Sequence, residues 1–266
     1  MDAGENELFG VENPIAADTL VRKTNNVIRA TLLPSLLRCC KTNQDAGNVE
    51  VSLFELAKAF PPSKQGKLPT EYNQLALVTT RELRELCGAV ELLVQRIAPS
   101  AKLEVKQEDV AGFAAGEAAT FILNGKPFGC IGVVAANVQA HFGLERPLSA
   151  AGINFDAIVP LAGAVRKYQP LPKFPAVRRD LSAIVDEHVT WRQIEQTIAK
   201  IAQPTRTGIE YVITYRGKPI PAGKKSVTTT LTYRSSEATL LSEQVDQQIA
   251  EVVEELIKNL GAEIRK

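Results

Sequence analysis

From Arg178 onward, extended and helical patterns alternate in an order that few architectures accept. "RRDLSAIVD" reads as a strand, and "TWRQIEQTIAKIA" as a helix opened by a capping box, with Thr190 as N-cap and Gln193 three positions on. "TGIEYVITYRG" and "KKSVTTTLTY" read as two strands rich in β-branched and aromatic residues. "SEQVDQQIAEVVEELIKNLG" reads as a long helix started by Ser242 and stopped by Gly261, and "AEIRK" as a short last strand. Strand, helix, strand, strand, helix, strand is the split βαβ order of ferredoxin-like folds. It places both helices on one sheet face and leaves the other face open.

Side-chain alternation says what the open face carries. In the third strand Ser226, Thr228, Thr230 and Thr232 share one side, an all-hydroxyl row suited to water, while Val227, Thr229, Leu231 and Tyr233 share the other. In the second strand strict alternation puts Tyr211, Ile213 and Tyr215 together, opposite Glu210, Val212, Thr214 and Arg216. Alternation alone leaves open whether those tyrosines line the core or form a stacking platform.

The connection between these strands, "RGKPIPAGKKS", has the outline of a phosphate-binding loop without its substance. Five residues separate Gly217 from Gly223, one more than the P-loop pattern allows, and Pro219 and Pro221 lack the backbone N–H groups such a cradle needs. The β-branched run that follows is a strand, not the required helix. The stretch is expected to be a strand-to-strand loop with a basic tip.

Charge is unevenly spread. The 266 residues carry a net charge of +1, yet between Arg166 and Leu241 there are 13 basic residues against 6 acidic. A localised basic surplus is the electrostatic footprint of nucleic-acid contact, although a solvated basic face without a partner produces the same count. The four cysteines, Cys39, Cys40, Cys87 and Cys130, have no C-x-x-C spacing, and the two histidines are far apart. Adjacent Cys39 and Cys40 are expected to be buried thiols on a helix in a reducing compartment, with no metal site and no membrane span in the chain. A cytoplasmic protein is the expectation.

The proline-rich segment "RKYQPLPKFPAVRR" resists helix and sheet and marks the boundary, with a first domain over 1–167 and a second over 168–266. Tyr168 and Phe174 suggest that it straps along the surface. In the first domain, "DTLVRKTNNVIRATLLPSLLRCCKT" is expected to be mostly helix, interrupted near Pro34. "VSLFELAKAF", "NQLALVTT" and "GINFDAIVPL" are expected strands, and "ATFILNGKPFGCIGVV" a hairpin turning at Asn124–Gly125. The helix over Arg81–Ala98 carries an apolar stripe ended by Pro99, and "VQAHFGL" is a short helix. The class is α+β with an antiparallel sheet.

No motif for covalent or metal-assisted catalysis is present: there is no G-x-S-x-G, no H-E-x-x-H, and no paired Cys and His. The stronger constellation is basic, aromatic and hydroxyl. Arg178 and Arg179 start the first strand of the second domain, Tyr215 and Arg216 end its second, and Lys224, Lys225 and Ser226 start its third. Lysine and arginine neutralise phosphates and a tyrosine ring stacks on an unpaired base, which suits single-stranded or loop RNA.

"LPKFPAVRRDLSAIVDE" followed by "YRGKPIPAGKKSVTTTLTYRSSEATLLSEQV" resembles the C-terminal domain of the bacterial phenylalanyl-tRNA synthetase beta subunit. "IRATLLPSLL", "VSLFELAKAF" and "LNGKPFGCIG" resemble, in the right order, the catalytic-like region that precedes it in that family. The resemblance implies a class II synthetase-like, non-catalytic antiparallel domain followed by a ferredoxin-like anticodon-binding domain that grips the anticodon stem-loop of phenylalanine tRNA. It implies that Tyr215 stacks on an anticodon base with Ser182 and Ser226 beside it. Asp180 belongs to the family's Arg-Asp-Leu strand. A family aspartate two positions before the tyrosine is replaced here by Ile213.

The family enzyme is a heterotetramer of two alpha and two beta subunits, with phenylalanine, ATP and magnesium held in alpha. The resemblance therefore implies an alpha-subunit partner and no cofactor or catalytic residue on this chain, which begins inside the catalytic-like region. On this reading the chain contributes to a phenylalanine–tRNA ligase without aminoacylating by itself. The alternative is a free-standing RNA-binding protein with a ferredoxin-like domain and no synthetase partner. An apolar face on the first domain would separate the two.

Overall fold

A computed structural model of the chain describes residues 3–17, 26–62, 70–163 and 171–265. The chain forms two compact units, Met1–Arg166 and Lys167–Lys266. Tyr168 and the first part of the proline-rich segment lie outside the described residues.

The first unit is built on six antiparallel strands. They are β1 (Ser52–Ala59), β2 (Tyr72–Thr79), β3 (Leu103–Gln107), β4 (Phe113–Leu123), β5 (Lys126–Val134) and β6 (Ser149–Asn154), in spatial order β1-β2-β6-β5-β4-β3. The β4–β5 hairpin turns at Asn124 and Gly125, both at positive φ, as its Asn-Gly pair requires. Alternation divides the sheet's apolar residues between two cores. On one face, Leu75, Phe121, Ile131 and Ile153 meet Leu86, Val90 and Val94 of α3 (Leu83–Ile97). On the other, Ala76, Val78 and Val134 meet α2 (Leu33–Asp45) and α4 (Ala136–Phe142), while α1 (Ala3–Glu7) is a single turn.

Three local expectations for this unit need correction. Residues 18–25 of the expected long helix lie outside the described residues, and Val27 forms a bridge with Ala16. The helix begins at Leu33 with Pro34 in its first turn, where a missing N–H costs nothing, so the proline opens the helix instead of interrupting it. The strand expected over 152–161 ends at Asn154 and passes into two single 3-10 turns, Phe155–Ala157 and Val159–Leu161. There the Asp156 carboxylate accepts two hydrogen bonds from Asn73, one from the backbone and one from the side chain, both at 2.8 Å. Finally β3, "LEVKQ", was not anticipated: three of its five residues are charged or amide-bearing, and it edges the sheet.

At the opposite edge, β1 leaves apolar surface uncovered. Phe54 is 73% exposed and Leu56 48%, and their cross-strand partners Leu77 and Leu75 place them on the face that α3 covers elsewhere.

The second unit contains β7 (Val177–Asp186), α5 (Trp191–Ala199), β8 (Arg206–Tyr215), β9 (Lys224–Tyr233), α6 (Ser242–Leu260) and β10 (Glu263–Arg265). The strands are antiparallel in the order β10-β7-β9-β8, the ferredoxin-like arrangement that the element order implies. Both helices lie on one face, where Leu181, Val185, Leu231 and Tyr233 pack against Ile194, Ile198, Val252 and Leu256. The capping box forms: Gln193 N donates to Thr190 Oγ1 and Thr190 N to Gln193 Oε1. At α6 the N-cap position is Leu241, and Ser242 is already helical. Gln244 Oε1 accepts from Leu241 N at 3.0 Å, which is half of a capping box, and Gly261 ends the helix at φ 60°.

Candidate nucleic-acid interface

The open face of the second unit is fixed by register. Across it run Glu263, Ile184, Ser226 and Tyr215 in one row, and Arg265, Ser182, Thr228 and Ile213 in the next. Strict alternation along β8 would have kept Tyr211, Ile213 and Tyr215 on one side. Instead the β8–β9 ladder shifts between Tyr211 and Ile213, so that Tyr211 faces Thr229 and Ile213 faces Thr228. One extra residue, Val212, reverses the parity of everything after it. The two tyrosines therefore part company. Tyr211 turns to the helix side, where its ring meets Trp191 edge-on at 5.5 Å, and Tyr215 emerges on the open face with 45% of its surface exposed.

Tyr215 is oriented from its far end, because its hydroxyl donates to the carbonyl of Lys218 at 2.8 Å. That carbonyl belongs to the 216–223 connection, which is a strand-to-strand loop, as expected from its two prolines. The loop is braced by Ile220 N donating to Gly217 O at 2.8 Å and by Glu187 N donating to Gly223 O at 2.9 Å. Beside the ring, Ser226 is buried at 4% exposure. Ser182 and Thr228 share a hydrogen bond of 2.8 Å, and Thr230 donates to Asp180 at 2.5 Å. Most of the hydroxyls nearest the ring are thus already paired within the sheet, and the exposed neighbours of Tyr215 on β8 are apolar, Ile213 at 56% and Val212 at 49%.

The structure does not gather all the basic residues singled out from sequence. Arg178 is exposed on the open face, opposite Thr232. Lys224 pairs with Asp186, at the other end of the same strand. Eight residues of β-strand separate the two, roughly 26 Å. Arg179 has the opposite parity and reaches the helix side, where its Nε donates to Asp246 of α6 at 3.2 Å. At the hairpin end Arg216, Lys224 and Lys225 each have an internal partner, while Lys218 is exposed in the loop. Arg216 donates from Nε and Nη2 to Glu187 Oε1 at 2.9 and 2.6 Å. The Lys225 side chain is only 12% exposed and donates to the Glu187 carbonyl at 2.7 Å, and Lys224 pairs with Glu263.

These contacts set the local proton affinities. Hydrogen bonding from Arg216 holds the Glu187 carboxyl below its usual range, and Glu187 in turn raises Arg216. Glu263 likewise raises Lys224. Sequence reasoning did not find Glu187, Glu263 or Asp246 as counter-ions, because each lies 29 to 67 residues from the cation it meets. It also did not place Ile213 on the open face, because the bulge leaves no mark in the alternation. No group of three or more histidine, cysteine or acidic side chains able to hold a metal ion occurs among the described residues, and none of their helices is long and apolar enough to cross a membrane.

A four-stranded antiparallel sheet with both helices behind it and an exposed, hydroxyl-anchored tyrosine in front is a ferredoxin-like fold with an open aromatic face. The family model described as "Ferredoxin-fold anticodon binding domain" matches residues 172–265. The model described as "Phenylalanyl tRNA synthetase beta chain CLM domain" matches residues 2–155. The chain belongs to the phenylalanyl-tRNA synthetase beta chain family. It is 30% identical over 258 residues to the phenylalanine–tRNA ligase beta subunit of Clostridium acetobutylicum, covering 96% of this chain and 32% of that protein. It is 29% identical over 279 residues to that of Syntrophotalea carbinolica, covering 99% and 34%. The chain spans about a third of the length of the curated relatives it matches.

Proposed function

We propose that this chain is the anticodon-reading, subunit-packing part of a phenylalanine–tRNA ligase beta subunit. Its second unit binds the anticodon stem-loop of phenylalanine tRNA, and its first unit packs against an alpha subunit in a cytoplasmic heterotetramer. The observation that carries this reading is the exposed ring of Tyr215 on the sheet face opposite the second unit's own helices. An exposed aromatic ring at one end of a pleated surface is a seat for an unstacked base. Of the residues proposed to touch RNA, Ser182 and Ser226 lie closest to Tyr215 across the sheet, with Ile213 standing where the family has an aspartate. Arg216 and Lys224 lie at the same end of the sheet, Arg178 and Asp180 lie toward its far end, Lys225 is held on the Glu187 carbonyl, and Arg179 reaches the helix side.

Support for a subunit partner comes from Phe54 and Leu56, two large apolar side chains exposed side by side on an edge strand. Residues of this kind are enriched where two proteins meet. The same observation disfavours a free-standing RNA-binding protein. Phenylalanine, ATP and magnesium then belong to the alpha subunit. The test is a binding titration of the chain against phenylalanine tRNA and a tRNA of another anticodon, paired with sedimentation with and without the alpha subunit. Preference for the phenylalanine tRNA and co-sedimentation support the reading. Equal affinity for both tRNAs together with no co-sedimentation removes it.

A further inference from the structure

In the second unit, at the end of the sheet away from the 216–223 hairpin, is a cavity of about 790 Å³ that none of the roles above uses. It is lined by Lys173, Thr205, Thr207, Arg234, Ser235 and Ser236, with Leu171, Pro172 and Pro204 as its apolar wall and Glu237 as its one acid. Its volume is in the range of small-molecule sites. Four of its residues, Lys173, Arg234, Ser235 and Ser236, carry donor groups, while the Thr207 hydroxyl donates to the Thr232 carbonyl at 3.3 Å.

Arg234 is the unusual member. Its backbone is fixed by a 2.7 Å hydrogen bond from its N–H to the carbonyl of Thr205, which pins the residue at the end of β9. Its Nε is buried and has no hydrogen-bond partner among the described residues. A guanidinium stays protonated at any physiological pH, so a buried N–H of this group without an acceptor is a standing cost. Groups of this kind are ordinarily satisfied by water, an ion or a ligand. Ser235 Oγ accepts from the N–H groups of Glu237 and Ala238 at 3.1 and 3.5 Å, which leaves its own O–H to donate. Ser236 and Lys173 are exposed at the rim, and Arg178 on the open face pairs with Thr232, two residues before Arg234. Thr205 is occupied, donating to Gln248 Oε1 at 2.7 Å.

We propose that this cavity is a phosphate site, with the Arg234 fork and the Lys173 ammonium as its cationic pair and Ser235 and Ser236 as hydroxyl donors, and that it takes a phosphodiester of the bound RNA. A planar fork beside hydroxyl donors can donate to the two non-bridging oxygens of a phosphodiester and neutralise its single charge. Ser226, beside Tyr215, and Tyr233, before Arg234, are seven residues apart on β9, roughly 23 Å along the strand. A backbone laid along the sheet from the stacked base thus reaches a second, purely electrostatic hold. The RNA half of this proposal rests on the anticodon-binding reading; the phosphate half does not.

The test uses the whole chain, with inorganic phosphate and the anticodon stem-loop as separate probes. Inorganic phosphate is expected to raise the melting temperature above a chloride control of equal ionic strength, with the gain lost in Arg234→Gln and in Ser236→Asp. The second variant puts a carboxylate at the exposed rim and leaves the buried groups untouched. Both variants are expected to weaken stem-loop binding about threefold to tenfold and to flatten its log–log salt dependence by roughly 0.7, the value for one phosphate contact on a single strand. Arg234→Lys is expected to restore the phosphate effect in part. No gain from phosphate in the parent chain overturns the site. A phosphate gain with unchanged stem-loop affinity and slope in both variants overturns the RNA assignment and leaves a site for free phosphate. A chain that binds no RNA at all but shows the phosphate gain sinks the anticodon reading and keeps the pocket.

Discussion

Replacing Tyr215 by alanine removes the ring from the open face. Nearly half of the residue's surface is exposed and so accessible to a base. Base–aromatic stacking measured by alanine substitution is worth about 1–3 kcal/mol per base, which converts to a loss of about 5- to 150-fold in affinity. Alanine also removes the hydrogen bond to Lys218 O, whose loss would loosen the 216–223 loop. A hydrogen bond at an exposed position contributes at the low end of about 0.5–1.5 kcal/mol. Tyr215→Phe separates the two effects, because it keeps the ring and deletes only the hydroxyl. Fluorescence anisotropy with a labelled anticodon stem-loop should show Tyr215→Phe within about threefold of the parent and Tyr215→Ala well below both. Equal losses for the two variants would assign the effect to the loop and not to stacking. No loss for Tyr215→Ala, with its melting curve unchanged, would refute the platform.

The other expectations concern the pairs and cores around that face. Glu187→Gln should release Arg216 from its ion pair while Lys225 stays on the Glu187 carbonyl, tightening stem-loop binding and steepening its salt dependence by roughly 0.7 for one added phosphate contact; an unchanged slope would show that Arg216 never reaches the RNA. Because the Glu187 carboxyl is held below its usual range, its pairing with Arg216 contributes to stability above the ordinary carboxylate pKa and is lost only as pH falls through the lowered value. The affinity ratio of parent to Glu187→Gln should therefore stay flat from about pH 8 to pH 5, and a ratio that collapses near pH 6 would contradict this. Burial pushes the thiols of Cys40, Cys87 and Cys130 up to about 11. At pH 8 only about one in a thousand of each is thiolate, so iodoacetamide followed by mass spectrometry should label the exposed Cys39 first. Leu231→Ala, at a fully buried position, should cost about 2–5 kcal/mol in urea denaturation of the second unit; a loss under 1 kcal/mol would mean that its core relaxes around the gap.

Much of the second unit was legible because local chemistry dictates it. Thr190 with Gln193 starts one helix, Gly261 stops the other, and the hydroxyl row of β9 alternates without a break. The Asn124–Gly125 hairpin of the first unit was legible for the same reason. What stayed hidden depends on contacts between distant residues. The register shift at Val212 exists only relative to β9, so parity along β8 alone could not separate Tyr211 from Tyr215. The count of basic residues was correct, but Arg179, Arg216 and Lys224 meet acids contributed by other elements, and the effective charge of the open face is lower than the count suggests. The strand β3 was missed because its polar residues tolerate an edge position that gives no hydrophobic signal.

The most direct test of the account is to add the anticodon stem-loop of phenylalanine tRNA to the isotopically labelled chain and map the backbone amide shifts. The largest changes are expected at Ser182, Ile213, Tyr215 and Thr228, with α5 and α6 nearly silent. Shifts concentrated on α5 and α6, with those four residues unmoved, would contradict it.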